Sequence, residues 1–216
     1  LAIALDGLRG TSYMHKNHGL IHNDIKPSNI LVNAENRGKL GDIGLAGKDG
    51  EKPKGYTPGY VAPEVIDNQG YSPCKGVVGP ATAKSDMFSW GKVLWFIYTR
   101  RKPGKGETTA LGPDCPAGLS ALIKSCLSET PGDRPTANEA IEKLDAVMKE
   151  QQHARIEELF NDIDVDNNGE LDPEELKEYF TAPNSRLPRL VSMFDVNEDG
   201  KITRSEWDDT FGKLHN

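Results

Sequence analysis

Cysteine is scarce in this chain of 216 residues: Cys74, Cys115 and Cys126 are odd in number and lack the short spacing of a metal-ligand set. That argues against a disulfide-framed secreted scaffold and against a zinc site, and makes a reducing, cytoplasmic compartment the expectation. Long apolar runs are missing as well. The run Met87 to Tyr98 is interrupted by Gly91 and Lys92 and is far shorter than the roughly 20 residues a membrane span requires, so it reads as a buried core helix. No secretory signal pattern is visible. No Lys/Arg cluster of the kind that binds nucleic acid is present, so no nucleic-acid partner is expected.

What charge there is lies unevenly. The formal net charge is −7, but residues 1–150 carry 19 basic and 17 acidic side chains, whereas residues 151–216 carry 7 and 16. Two units are therefore expected, 1–150 and 151–216, and the acidity of the second, concentrated on a few positions, points to a cation site.

The first unit contains His22-Asn23-Asp24-Ile25-Lys26-Pro27-Ser28-Asn29 and, thirteen positions later, Asp42-Ile43-Gly44. Phosphoryl transfer needs a carboxylate to orient the attacking hydroxyl, and Mg²⁺ and a Lys to neutralise the moving charge. Asp24, Lys26, Asn29 and Asp42 stand at the spacing for those roles. Three further motifs follow in order: Gly55-Tyr56-Thr57-Pro58-Gly59-Tyr60-Val61-Ala62-Pro63-Glu64, then Ser85-Asp86-Met87-Phe88-Ser89-Trp90-Gly91, then Asp133-Arg134-Pro135-Thr136.

Together these four resemble the eukaryotic protein kinase family, with its H-R-D-x-K-x-x-N loop, D-F-G metal motif and A-P-E close. The resemblance implies that Asp24 accepts the hydroxyl proton, Lys26 meets the γ-phosphate of ATP, Asn29 and Asp42 hold Mg²⁺, and Thr57 helps to hold Asp24. Lys26 and the Pro27-Ser28 pair resemble the Ser/Thr-specific version of the loop, which implies a protein Ser/Thr substrate. Asp86 and Arg134 are expected to be scaffold, Arg134 pairing with Glu64.

Departures from the pattern are informative. Asn23 replaces the Arg that clamps a phosphate in many kinases, and no Ser or Thr occurs between Leu45 and Tyr56, so phosphorylation is not the expected on-switch. Ile43 replaces the aromatic of D-F-G and is expected to pack in its stead. The chain opens inside a helix whose stripe, Leu1, Leu5, Leu8 and Tyr13, ends at His18-Gly19. In the family that helix belongs to the large lobe. The Gly-rich loop, the strand Lys and its Glu partner have no counterpart among these residues, so the chain alone is expected to transfer phosphate poorly or not at all, with its parent beginning upstream.

The second unit holds two twelve-residue runs, Asp164 to Glu175 and Asp195 to Glu206, whose loop starts lie 31 residues apart. A hard cation such as Ca²⁺ takes six to eight oxygens, supplied by side chains at positions 1, 3, 5 and 12 and a backbone carbonyl at 7. Asp164, Asp166, Asn168 and Glu175, with the Glu170 carbonyl, fill the first set. Asp195, Asn197, Asp199 and Glu206, with the Lys201 carbonyl, fill the second. Gly169 and Gly200 fall where the loop turns sharply. Both runs resemble the EF-hand calcium-binding family, and the order of the two units is similar to that of calcium-dependent protein kinases.

The expected fold is mainly α: a kinase-like large, C-terminal lobe fused to a paired EF-hand domain. Leu171 and Ile202 should form a two-stranded contact, and Phe160, Leu176, Phe180, Leu190, Phe194, Trp207 and Phe211 a shared core. Strands are expected at Leu20 to His22 and Ile30 to Val32, and helices from about Leu119 and from Thr136, the latter opened by a Thr136/Glu139 capping box. Asn68 to Pro80 and Lys102 to Gly118 read as surface loops, and the two prolines between Thr181 and Pro188 as helix breakers. The stripe Ile141, Leu144, Val147 and Met148 either packs on the lobe or serves as a target for the calcium-loaded hands, across a polar junction, Lys149 to Arg155, that is a rigid arm or a hinge. The leading reading is a Ca²⁺-responsive Ser/Thr kinase using ATP, Mg²⁺ and Ca²⁺. A non-catalytic calcium sensor with a kinase-like docking platform is the alternative; a small-molecule phosphotransferase fits less well with the peptide-lobe motifs. The oligomeric state is not legible.

Overall fold

The computed structural model describes residues 1–66, 79–103, 110–179 and 187–214. Cys74, Phe180, the Leu190 side chain, and most of the connections expected at Asn68 to Pro80 and Thr181 to Pro188 lie outside them, as does 104–109 within the loop expected at Lys102 to Gly118. The chain divides into two compact units, Leu1–Met148 and Lys149–Asn216. Among the described residues it is mainly α, with seven α-helices and six strands of two or three residues.

The first unit opens with α1, Ala2–Tyr13, whose Ala4, Leu5 and Leu8 are buried. Tyr13 does not join that stripe. It is 59% exposed, its ring edge-on to His18, because at 100° per residue the inward positions after Leu8 fall at Thr11 and Ser12. The helix then widens into a π-turn, Met14–His18, and stops at Gly19, left-handed at φ 59°. Strand β1 (Leu20–Ile21) pairs antiparallel with β4 (Gly47–Lys48), and β2 (Ile30–Val32) with β3 (Gly38–Leu40). These two ribbons bracket the segment 22–29.

Helix α2, Ala83–Thr99, is the centre of the lobe, with Met87, Trp90, Val93, Leu94 and Trp95 all buried. Its packing on α1 depends on Gly7: a Cβ there would sit 2.5 Å from the Trp90 ring. The indole N–H of Trp90 donates to Thr11 Oγ1 at 2.8 Å, so the ring is buried with its polar atom satisfied. α3 (Ala117–Cys126) and the first turns of α4 (Ala137–Ile163) complete the core through Leu119, Leu122, Ile123, Ala140 and Leu144. The capping box is formed: Thr136 N–H donates to Glu139 Oε2 at 2.7 Å, and Glu139 N–H to Thr136 Oγ1 at 3.3 Å. Leu144 and Val147 are buried in this core, with Ile141 and Met148 packed against it, so the stripe belongs to the lobe. Residues 149–155 are helical within α4.

The second unit takes the end of α4, then α5 (Pro173–Tyr179), α6 (Leu187–Phe194) and α7 (Arg204–Leu214). Its core is Phe160, Ile163, Leu171, Leu176, Phe194, Ile202 and Trp207, with Phe211 packed alongside. Phe160 and Trp207 meet edge to face with ring centroids 5.6 Å apart. β5 (Glu170–Leu171) and β6 (Ile202–Thr203) pair antiparallel, Leu171 opposite Ile202. Pro188 does not break a helix here. It lies in the first turn of α6, where a missing N–H costs nothing.

Candidate functional sites

The segment 22–29 is held from beneath by Asp86 of α2. Its carboxylate, 1% exposed, accepts the backbone N–H of His22 at 2.8 Å and of Asn23 at 3.0 Å. The same carboxylate meets His15 Nε2 at 2.8 Å. His22 is fixed on both ring nitrogens: Nδ1 accepts the Asp24 N–H at 3.3 Å, and Nε2 lies 3.0 Å from the Gly41 carbonyl. Only a neutral imidazole protonated on Nε2 satisfies both, a tautomer assigned from the bonding network. His22 thereby links the loop to the turn that carries Asp42.

Asp24, buried at 7% exposure, gathers three of the expected residues. Lys26 Nζ donates to Oδ2 at 2.7 Å, Asn29 Nδ2 to Oδ2 at 3.0 Å and to the Asp24 carbonyl at 2.8 Å, and Thr57 Oγ1 to Oδ1 at 2.5 Å. Lys26 also donates to Thr57 Oγ1 at 2.9 Å. Burial pushes the Asp24 carboxyl upward, but the bonds from Lys26 and Thr57, the Lys26 charge and the Asn29 bond outweigh it and hold it below its ordinary value. The result is an ionised, oriented carboxylate beside a cation.

Asp42 stands apart from this network. It sits exposed at φ 56°, its Oδ1 accepting only a long 3.4 Å bond from Gly44 N–H. Its turn is tied to the loop through Gly41, whose N–H donates to the Asn29 carbonyl at 2.8 Å. The amide oxygen of Asn29 and the exposed carboxylate of Asp42 are hard oxygen donors, the chemistry that fits Mg²⁺. Ile43 is 65% exposed and does not pack as expected, in a 3₁₀ segment that begins after a left-handed Asp42.

Asn23 does more than replace an Arg. At φ 67° it directs Nδ2 to the Leu45 carbonyl at 2.9 Å, holding the segment after the metal motif without any charge. Further along, Arg134, 1% exposed, grips Glu64 with two bonds of 2.6 and 2.8 Å and donates to the Ser128 and Lys84 carbonyls. Arg134 pairs with Glu64 as scaffold, as the sequence suggested.

In the second unit, carboxylate oxygens of Asp164, Asp166 and Glu175 lie within 4.8 Å of one another. Asp164 accepts N–H bonds from Asn168 and Gly169 at 3.0 Å each, and Glu175 from Val165 at 2.9 Å and Asp172 at 3.0 Å. The second loop repeats the pattern. Asp195 accepts from Asp199 at 3.1 Å and Gly200 at 2.9 Å, and Glu206 from Val196 at 3.0 Å and Thr203 at 2.9 Å. Those bonds, the Thr203 ones foremost, hold Glu206 below its ordinary value. Asn197 and Asp199 are joined at 2.9 Å, and Asn168 to Asp166 at 2.9 Å. The side chains at position 7, whose carbonyls complete each set, pair across the loops: Lys201 Nζ reaches Glu170 Oε2 at 2.6 Å. Hard oxygens on loops with left-handed Gly169 and Gly200, convergent in the first, fit Ca²⁺.

A protein kinase domain model matches residues 2–144. The chain belongs to the protein kinase family. A model of an EF-hand domain pair follows on the kinase domain, matching residues 153–207. This kinase-family chain is 34% identical over 171 residues to the serine/threonine/tyrosine-protein kinase HT1 of Arabidopsis thaliana, covering 69% of this chain and 41% of that one. It is 31% identical over 170 residues to receptor-interacting serine/threonine-protein kinase 3 of Homo sapiens, covering 65% and 31%. With drkC of Dictyostelium discoideum, a probable serine/threonine-protein kinase, it shares 35% over 169 residues, covering 68% and 21%. The chain thus spans less than half the length of these relatives. No helix among the described residues is long and apolar enough to cross a membrane.

Sequence reasoning missed His15 and the bond made by Asn23. His15 lies beyond α1, in the π-turn Met14–His18, where the helical period gives no signal for it.

Proposed function

We propose that the first unit is the substrate-facing lobe of a protein kinase that transfers the γ-phosphoryl group of ATP to Ser or Thr hydroxyls of proteins. The observation that carries this reading is the Asp24 carboxylate, ionised and aimed by Lys26, Asn29 and Thr57. Asp24 orients the acceptor hydroxyl and takes its proton as the oxygen bonds to phosphorus and the bond to ADP breaks. Lys26, already beside Asp24, meets the γ-phosphate, and Asn29 and Asp42 would hold Mg²⁺, which supplies neutralising charge when bound. The Gly-rich loop, strand Lys and helix Glu that cradle ATP are not among the 216 residues, so the activity proposed is that of a protein that supplies them. The neutral tie from Asn23 to Leu45 supports a catalytic loop that needs no phosphate on the following segment.

We infer that the two EF-hand loops bind one Ca²⁺ each and regulate this activity. The convergence of Asp164, Asp166 and Glu175 supports the first site most directly. Intracellular location follows from the use of ATP and from three cysteines without a disulfide pattern.

The test is turnover of a Ser-containing protein substrate by the catalytically complete protein, wild type against Asp24→Asn. A loss of at least about 100-fold in kcat is expected from removing a general base, and undiminished turnover would take Asp24 out of that role.

A further inference from the structure

Thr57 donates to Asp24 Oδ1, so a peptide whose hydroxyl reaches Asp24 passes beside the segment that carries Thr57. Charge along that segment is one-sided. Residues 52–60 contain two cations, Lys52 and Lys54, and no acid. Both lysines are exposed, and Pro53 between them is buried, lining a small cavity with Ala62, Val65 and Ser89. Successive side chains of an extended segment alternate in direction, so the buried proline turns both lysines to solvent. Lys54 stands three positions from Thr57, within about 11 Å of it along the chain.

A second pair of cations approaches the same segment from the end of α2. Gly59, at φ 90°, lies so close to Pro103 that a Cβ on it would be 2.8 Å from the Pro103 carbonyl oxygen. The two residues before that proline, Arg101 and Lys102, are exposed. Among the described residues no ion pair holds Lys52, Lys54, Arg101 or Lys102. The acids close to the segment are already engaged, Asp24 by Lys26 and Glu64 by Arg134. Four uncompensated cations therefore border the approach to Asp24, and the local field favours anions although the chain as a whole carries a net charge of −7. The four stand on two separate stretches of chain and do not form one fork, which suits several single carboxylates better than one phosphate.

We propose that this lobe selects acceptor proteins whose Ser or Thr is flanked by Asp or Glu, the carboxylates meeting Lys52, Lys54, Arg101 and Lys102. Selection of this kind rests on the kinase reading above and gives that reading a substrate class.

The experiment compares kcat/KM of the catalytically complete protein for peptides that share a central Ser and differ only in its flanks, Glu, Gln or Lys. The Glu peptide should be used about tenfold more efficiently than the Lys peptide, with the Gln peptide between them, and the ratio should fall as salt is raised. Arg101→Glu with Lys102→Glu, and separately Lys52→Glu with Lys54→Glu, should each lower or reverse that ratio. The ratio is read within each variant, so a smaller folded fraction cancels. Equal use of the three peptides, or a ratio that either double variant leaves unchanged, overturns the proposal. So does a gain confined to a peptide with phosphoserine in place of Glu, which would require one convergent phosphate pocket. Binding separates this proposal from the reading beneath it: with the acceptor Ser replaced by Ala, the Glu peptide should bind the 216-residue chain about tenfold more tightly than the Lys peptide in a fluorescence titration. That preference without any turnover, or turnover retained by Asp24→Asn, would fault the kinase reading alone.

Discussion

Asp24 in the first unit and Glu175 in the second are both carboxylates with three or more N–H or O–H groups around them, and the donors are of different kinds. Asp24 is met by side chains, Lys26 among them, so a full positive charge and a buried setting accompany it. Glu175 is met by backbone N–H groups of its own loop, from Val165, Asp166 and Asp172. Dipoles orient a carboxylate but do not neutralise it. Asp24 is therefore neutralised before any ligand arrives, while the second unit brings Asp164, Asp166 and Glu175 within 4.8 Å and relies on a cation to offset their repulsion. One set of residue types thus serves a preset, paired carboxylate in one place and a conditional cation site in the other.

The comparison breaks most visibly if the calcium loops do not depend on their last ligand. Calorimetric titration should find two Ca²⁺ bound, and Glu175→Gln with Glu206→Gln should abolish both events, because the bidentate position 12 is lost in each loop. Retained binding in the double variant would sink the loop assignment. Ca²⁺ should also raise the unfolding transition of the second unit through linkage, and leave that of the first in place.

The next largest effect is expected within the first unit. Arg134→Ala removes a buried guanidinium that serves Glu64 and two carbonyls, and should cost roughly 3 kcal/mol in chemical denaturation, since breaking a buried pair strands its partners. A cost near zero would mean that the lobe is not held by preset polar contacts. Gly7→Ala tests the apolar counterpart. A Cβ 2.5 Å from the Trp90 ring must displace an indole that is bonded to Thr11, at a cost of about 1–3 kcal/mol.

Motifs whose chemistry dictates spacing were legible without coordinates: Asp24, Lys26 and Asn29 do converge, and Leu171 does pair with Ile202. So were Arg134 with Glu64 and the Thr136 capping box, the one from a motif and the other from four adjacent residues. What escaped was set by distant partners or by backbone geometry. His15 meets Asp86 across 71 positions, and no local period announces that contact. Ile43 reads as a packing residue because it is apolar, yet it is 65% exposed in a 3₁₀ segment that no hydrophobic period marks. Pro188 was read as a breaker because its ring blocks a helix interior, whereas its place in the first turn of α6 carries no such penalty.

The smallest effect expected concerns Asp6, and it sharpens the contrast between charge neutralised inside a unit and charge left for a ligand. Asp6 of α1 accepts Arg37 Nε at 2.8 Å, an Arg37 terminal nitrogen at 2.7 Å and the Gly38 N–H at 3.1 Å, so it ties the β2–β3 ribbon to the helix. The Arg37 hydrogen bond, against some opposition from burial, lowers its carboxyl to about 2. An unfolded Asp titrates near 3.9, roughly, so the folded state holds its proton less tightly than the unfolded chain. The stabilisation is therefore present above about pH 4 and disappears as pH falls through 2. Arg37 is largely exposed, which leaves the pair open to salt screening and keeps its worth small. Asp6→Asn should lower the melting temperature at pH 7 by about 2 °C or less. The difference from wild type should shrink between pH 4 and pH 2 and with added salt, and a difference that persisted at pH 2 would show that the side chain acts through its shape and not through its charge.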